Sequence, residues 1–146
     1  MKQPNTSHEN RVSYGIASAV LTVGLSVLVG PQAGAQSARP GNGATIYQDG
    51  DQYGTTFRTW APNADLVSVA GSFNGNNPNT HFLTNEGDGW WSIDVPYVSQ
   101  GARYKFVIRN GDQELWRRDP WARRLTNSVG DPLVYDADAY QFQAEG

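Results

Sequence analysis

Between Tyr104 and Arg124 the chain reads YKFVIRNGDQELWRRDPWARR. An Asn110-Gly111 pair between two β-rich runs is the strongest short-range hairpin signal, because both central residues of a type I′ turn need positive φ. The pattern predicts a strand over 103–109, a tight turn, and a second strand over 115–118 that runs into Asp119-Pro120-Trp121-Ala122-Arg123. What the ribbon carries bears on function. Lys105, Arg109, Trp116 and Trp121 put cationic donors and flat rings on one small surface, the residue types that read sugars.

Other period-2 runs recur at short intervals, each bounded by turn residues. They predict strands over 53–60, 66–70, 82–84, 90–95 and 133–135, with Asn74 to Thr80 (NGNNPNT) as a long polar loop and Gly87-Asp88-Gly89 as a turn. No stretch has the 3.6-residue period of an amphipathic helix. Seven or eight short antiparallel strands in about a hundred residues describe an all-β fold, a β-sandwich of immunoglobulin-like size.

The sequence divides into four parts. Residues 1–35 read as a signal peptide: Lys2 and Arg11 flank a weakly basic start, 14–29 is apolar, and Ala33-Gly34-Ala35 supplies a small-x-small cleavage pattern. The rival reading is a membrane anchor, against which the apolar run, about 16 residues, falls short of the roughly 20 that span a bilayer. Residues 36–44 (QSARPGNGA) read as a linker, 45–138 as the sandwich, and 139–146 as a tail. Such a chain is expected to be secreted or periplasmic, with no membrane association after cleavage.

Removing Lys2, Glu9 and Arg11 with the leader leaves nine basic against thirteen acidic residues, a net charge of -4. That balance argues against nucleic-acid binding by phosphate neutralisation and suits a neutral ligand. With no cysteine in the chain, the core rests on apolar burial alone.

Strand parity assigns faces. Over 103–109, Tyr104, Phe106 and Ile108 point to the core, while Arg103, Lys105, Val107 and Arg109 share the other side. Over 90–95, Trp91, Ile93 and Val95 lie together, which turns Trp90, Ser92 and Asp94 outward.

Four segments, VSVAGSFNGN (67–76), GWWSIDVP (89–96), ARYKFVIRNGDQELWRRDPWARR (102–124) and NSVGDPLVYD (127–136), resemble in order and spacing the family-48 carbohydrate-binding module. That family is the early-set, immunoglobulin-like β-sandwich in front of the catalytic barrel in glycogen branching enzymes, isoamylases and related family-13 glycoside hydrolases. It also forms the glycogen-binding domain of the AMP-activated kinase β subunit. The similarity covers roughly 53–138. The Asp-Pro-Trp-Ala-Arg run looks like the Asp-Pro-Tyr-Ala sequence of branching enzymes, which brings the enzyme-linked branch nearer.

The resemblance implies a carbohydrate site, residue by residue. Trp116 stands where the family stacks an indole on glucose, and Lys105 where a lysine bonds the hydroxyls. The family's second stacking Trp is absent, since the chain reads Phe73-Asn74-Gly75-Asn76, and Gly130-Asp131-Pro132-Leu133 occupies the place of a sugar-binding Asn. Asn74, Asn76 and Trp90 complete the candidate set, although Asn is equally a turn-former and Trp90 an outward ring. Trp121 and Arg123 are expected at a structural corner or domain interface. The partner implied is an α-glucan, with a family-13 catalytic domain as a second. The rival to glucan binding is a purely structural module that packs on a barrel or partner protein.

Catalysis is not expected of this chain on its own. Glycoside hydrolysis needs two opposed carboxylates on a rigid frame, and nothing in the spacing of Asp88, Asp94, Asp112, Glu114 and Asp119 singles out a pair. A family-13 barrel needs about 250 residues. His81 stands alone in a polar loop, so neither a metal nor a cofactor is expected.

Overall fold

The computed structural model describes residues 35–137. The leader expected over 1–35 therefore lies outside them except for Ala35, as does the tail over 139–146. Seven strands form: β1 (Gly43–Asp49), β2 (Gln52–Trp60), β3 (Leu66–Gly71), β4 (Thr84–Gly87), β5 (Trp90–Pro96), β6 (Tyr104–Asn110) and β7 (Gln113–Arg117). A single 3₁₀ turn, Ser72–Asn74, follows β3. The strands make two antiparallel sheets, ordered β1-β2-β5-β4 and β3-β6-β7. This is an immunoglobulin-like β-sandwich.

The inner faces interlock as parity predicts. Trp91, Ile93 and Val95 of β5 face Tyr104 and Phe106 of β6 across a core shared with Phe57, Val67 and Val69. Phe57 is fully buried, its ring centroid 5.1 Å from Tyr104 and 5.4 Å from Phe73. Each such side chain contributes roughly 1.5–3 kcal/mol by leaving water. Val107 sits on the outer face and is nevertheless fully buried. The loop after the 3₁₀ turn covers it: the Pro78 carbonyl accepts from the hydroxyl of Ser68, the β3 partner of Val107, and Asn79 accepts from Arg109.

The β6–β7 hairpin forms, but its turn is one residue further on than the Asn-Gly signal implies. Asn110 pairs with Gln113, leaving Gly111 and Asp112 as the loop, and only Gly111 has positive φ, at 52°. Glycine at the first central position is the other favoured two-residue turn. Asn110 is freed to donate its side-chain amide to the Asn63 carbonyl.

The segment expected as a linker, 36–44, is instead docked, and β1 begins within it. Ser37 is buried, its amide donating to Ser92 Oγ at 2.9 Å and its hydroxyl to Asp94 at 2.7 Å. Arg39 pairs with Asp49 and Asp94 and lies 3.8 Å over the Tyr47 ring. Arg58, from the middle of β2, donates to the carbonyls of Ser37, Arg39 and Gly41. Tyr47 lies over Gly54, where any Cβ would come 2.5 Å from its hydroxyl oxygen. The strand expected over 82–84 is a bridge from Phe82 to Ser68 followed by β4, and that over 133–135 is reduced to bridges at Pro132 and Leu133.

Candidate functional site

The outer face of the three-stranded sheet carries the site. Cross-strand register places Trp116 opposite Val107 and Ser68, and Lys105 beside Ala70 two residues along β6. Ala70 is small and buried, which leaves a depression between the lysine, the indole and the flanking loops. A cavity of about 230 Å³ results, lined by Ala70, Asn76, Tyr104, Lys105, Trp116 and Asp131.

Each wall is held from outside. Trp116 is 41% exposed, and its indole N–H donates to Glu114 Oε1 at 2.9 Å while Glu114 Oε2 accepts from Arg109 at 2.9 Å. Those two hydrogen bonds, from Trp116 first and then Arg109, hold the Glu114 carboxyl below its ordinary range. Asn76 adopts a left-handed backbone (φ 57°), pinned by its amide on the Gly71 carbonyl at 2.8 Å. Lys105 Nζ lies 2.8 Å from Asp131 Oδ1. Asp131 is fixed by reciprocal bonds with Thr126, amide to hydroxyl and carbonyl to amide, both at 3.0 Å.

The structure thus brings together Trp116, Lys105 and Asn76, and keeps Asn74 and Trp90 apart from them. The Asn74 Oδ1 accepts from the Gly71 amide, and its Nδ2 lies 3.1 Å from the Val69 carbonyl and 3.0 Å from His81 Nδ1. It is a brace inside the loop, and it does not line the cavity. Burial beside this brace lowers the pKa of His81. Trp90 belongs to the opposite sheet, where it packs on Trp121 with ring centroids 5.5 Å apart and pairs across strands with Trp60. Trp60 and Trp121 are 52% and 38% exposed, and Trp60 Nε1 donates to the Asp88 carbonyl at 3.0 Å. Arg123 donates to the Ala44 carbonyl at 3.2 Å. Asp131 is the residue that sequence reasoning missed as a site group. Its one signal was that Gly130-Asp131-Pro132-Leu133 occupies the region of a sugar-binding Asn in the resembling family.

The arrangement brings an apolar flat face, a cation and a carboxylate, with Asn76 beside them, around a hexose-sized space. Among the described residues no group of three or more His, Cys, Asp or Glu could hold a metal ion.

A two-sheet sandwich with a ring-and-lysine pocket on one outer face defines a class of small β modules. Residues 42–122 match carbohydrate-binding module 48 (isoamylase N-terminal domain), and the chain belongs to that family. It is 38% identical over 111 residues to a 1,4-alpha-glucan branching enzyme of Xanthomonas campestris pv. campestris, covering 72% of this chain and 15% of that protein. Against a branching enzyme of Corynebacterium jeikeium the identity is 50% over 88 residues, 59% of this chain and 12% of the relative. Among solved structures, pullulanase type I from Bacillus subtilis complexed with maltose superposes with a TM-score of 0.57 at 25% identity, over 74% of this chain and 15% of that one. A putative alpha amylase from Salmonella typhimurium gives 0.56 at 27% identity, over 71% of this chain and 16% of that one. The chain spans between 9% and 17% of the length of these curated relatives.

Proposed function

We propose that this domain is a binding module for α-glucans of the glycogen or starch type, using Trp116 as the stacking ring and Lys105, Asp131 and Asn76 as partners for hydroxyls. The observation that carries the reading is the meeting of these four residues around one open cavity of hexose size. The kinship with branching enzymes and with a pullulanase solved with maltose supports the same ligand class. An indole desolvates the C–H face of a glucose ring, and burying 60–80 Å² at about 25 cal/mol/Å² contributes roughly 2 kcal/mol. With one such ring and a few polar contacts, association costs leave a Kd of roughly millimolar order. Tethering to a polymer that repeats the ligand turns such weak binding into retention.

Affinity electrophoresis through glycogen or amylopectin gels tests this. The unmutated domain is expected to be retarded, and Trp116→Ala to weaken binding by about 30-fold, the equivalent of roughly 2 kcal/mol. Migration of the unmutated domain at its sugar-free rate would remove the reading.

The indoles at the other sheet, of which Trp60 and Trp121 are exposed, favour a second, compatible role. Trp60, Trp90 and Trp121 gather at one end of the β1-β2-β5-β4 face, and Arg123, two residues on from Trp121, is held by the Ala44 carbonyl of β1. Tryptophan and arginine dominate protein–protein hot spots, and this face is a docking surface for a family-13 catalytic domain. Mixed with a branching-enzyme barrel stripped of its own module, the chain is expected to co-elute in size exclusion, and Trp60→Ser/Trp121→Ser to co-elute no longer while glycogen retardation stays unchanged. Separate elution of the unmutated chain refutes the docking role.

A further inference from the structure

We propose that Tyr53 and Tyr97 form a second glucan-binding site, on the four-stranded sheet and separate from the Trp116 cavity, an inference that rests on the glucan-binding reading above. The two tyrosines meet where β2 begins and β5 has just ended, one step beyond the Gly54–Pro96 pair. Their rings touch edge to face, with centroids 5.5 Å apart and planes at 81°. Tyr97 is 67% exposed, more than any tryptophan among the described residues, and Tyr53 is 43% exposed.

The backbone gives the first argument. Among the described residues three other than glycine have positive φ: Asn76, Asp88 and Tyr97. Asparagine and aspartate tolerate the left-handed region, since their short polar side chains bond locally. A tyrosine there, at 62°, sets its Cβ against the following carbonyl, and glycine would make the same turn without that clash. The conformation is held from both sides. The Tyr97 amide donates to the Tyr53 carbonyl at 2.9 Å, and the next carbonyl, that of Val98, accepts from the buried Thr55 hydroxyl at 2.8 Å. Strain that the surroundings enforce, on a residue whose ring is left in water, points to a ligand for that ring.

The surroundings say which ligand. Perpendicular rings make a corner in which one ring presents its face, and an aromatic face desolvates the C–H face of a glucosyl unit. Gln52 before Tyr53, and Ser99 and Gln100 after Tyr97, are exposed residues that both donate and accept. The nearest charges along the chain, Asp49 and Asp51 at the β1–β2 turn, are acidic, which suits a polyol and repels an anion. Two part-exposed rings supply little of the roughly 800 Å² per partner that a stable protein interface buries, whereas a glucosyl unit needs one ring face. On a polymer that repeats the ligand, a second weak site on the other sheet lets one module engage two chain segments, and the two engagements reinforce each other.

NMR titration of the full chain with maltotriose tests this. Two separate groups of backbone amides are expected to shift, one around Ala70 and Lys105 and the other around Gly54, Tyr97 and Val98. Trp116→Ala is expected to lose the first group and keep the second, and Tyr97→Gly to do the reverse. Glycine adopts the left-handed turn without strain, so Tm should fall by less than about 4 °C; Tyr97→Asn, which also tolerates the turn, takes its place if the fall is larger. In glycogen gels Tyr97→Gly is expected to weaken binding by about tenfold, through loss of one of two linked engagements, and to abolish the residual retardation of Trp116→Ala. Shifts confined to the Lys105 group, or glycogen binding that Tyr97→Gly leaves unchanged, overturn the second site while glucan binding itself stands. If maltotriose moves neither group, the glucan reading falls and this inference with it.

Discussion

Replacing Arg58 by methionine is expected to destabilise the domain by about 3–5 kcal/mol, the range for removing one partner of a buried ion pair. The guanidinium is 12% exposed and Glu86, its partner at 2.9 Å, 14% exposed. It also holds the carbonyls of Arg39 and Gly41 at 2.7 and 2.8 Å and that of Ser37 at 3.2 Å. Methionine fills the stem's volume and satisfies none of these groups. For a domain of this size each kcal/mol lowers Tm by roughly 4–8 °C, so a drop of about 12 °C or more is expected by circular dichroism. The segment before β1 should come loose, and proteinase K should then cut within 36–42 under conditions in which the unmutated chain resists. The pH profile should change as well. Burial raises the Glu86 pKa, but hydrogen bonds from Arg58 and Ser92 and the charge of Arg58 outweigh it and hold the carboxyl below its ordinary range. A depressed carboxyl gives stability that is present above its unfolded value and lost as pH falls through the folded one. Arg58→Met should remove that acid-side loss. A Tm shift under about 4 °C would show that water replaces the guanidinium at little cost.

What the sequence made legible was whatever depends on neighbours along the chain. The hairpin follows from Gly111, and the inward faces of β5 and β6 follow from alternation at Trp91, Ile93, Val95, Tyr104 and Phe106. β1 was illegible because it starts inside a Pro40-Gly41-Asn42-Gly43 run. Its stability comes from pairing with β2 and from the fit of Tyr47 over Gly54, both tertiary facts. Parity also says which side of its own sheet a residue takes and nothing about which sheet that is. A sandwich has two outer faces, and Trp90, which parity turns outward, lies on the one opposite Trp116. Asp131 reaches Lys105 by way of an irregular segment with no period to read. Of the site, then, the β-strand members and Asn76 were visible and the Asp131 wall was not.

Asp119→Ala is expected to cost about 3 kcal/mol or more at neutral pH, since three donors lose their acceptor and each buried orphan costs about 1–3 kcal/mol. The carboxylate is 5% exposed. Its Oδ2 accepts the Tyr104 hydroxyl, its Oδ1 accepts the Trp121 amide at 2.8 Å, and the Ala44 amide donates to it as well. It therefore joins β1, β6 and the Asp-Pro-Trp corner at one point. Burial pushes the Asp119 pKa up, and the hydrogen bonds from Tyr104, Trp121 and Ala44 with the charge of Arg123 offset this only in part. The same burial, then the charge of Asp119 and its hydrogen bond, raise the Tyr104 hydroxyl well beyond its ordinary range, so it stays a donor. A raised carboxyl pKa gives stability that is complete below the unfolded value and is lost as pH rises through the folded one. The contribution of Asp119 to stability should accordingly fall as pH rises above the ordinary aspartate range. Asp119→Asn resembles the protonated acid and has no charge to desolvate. Its deficit against the unmutated domain should therefore shrink as pH rises from 4 to 7, and that of Asp119→Ala should shrink in parallel from a larger starting value. Urea denaturation at the two pH values reads both differences. An Asn deficit that grows toward neutral pH would mean that the ionised carboxylate is favoured by its donors over its burial, and the assigned direction would be reversed.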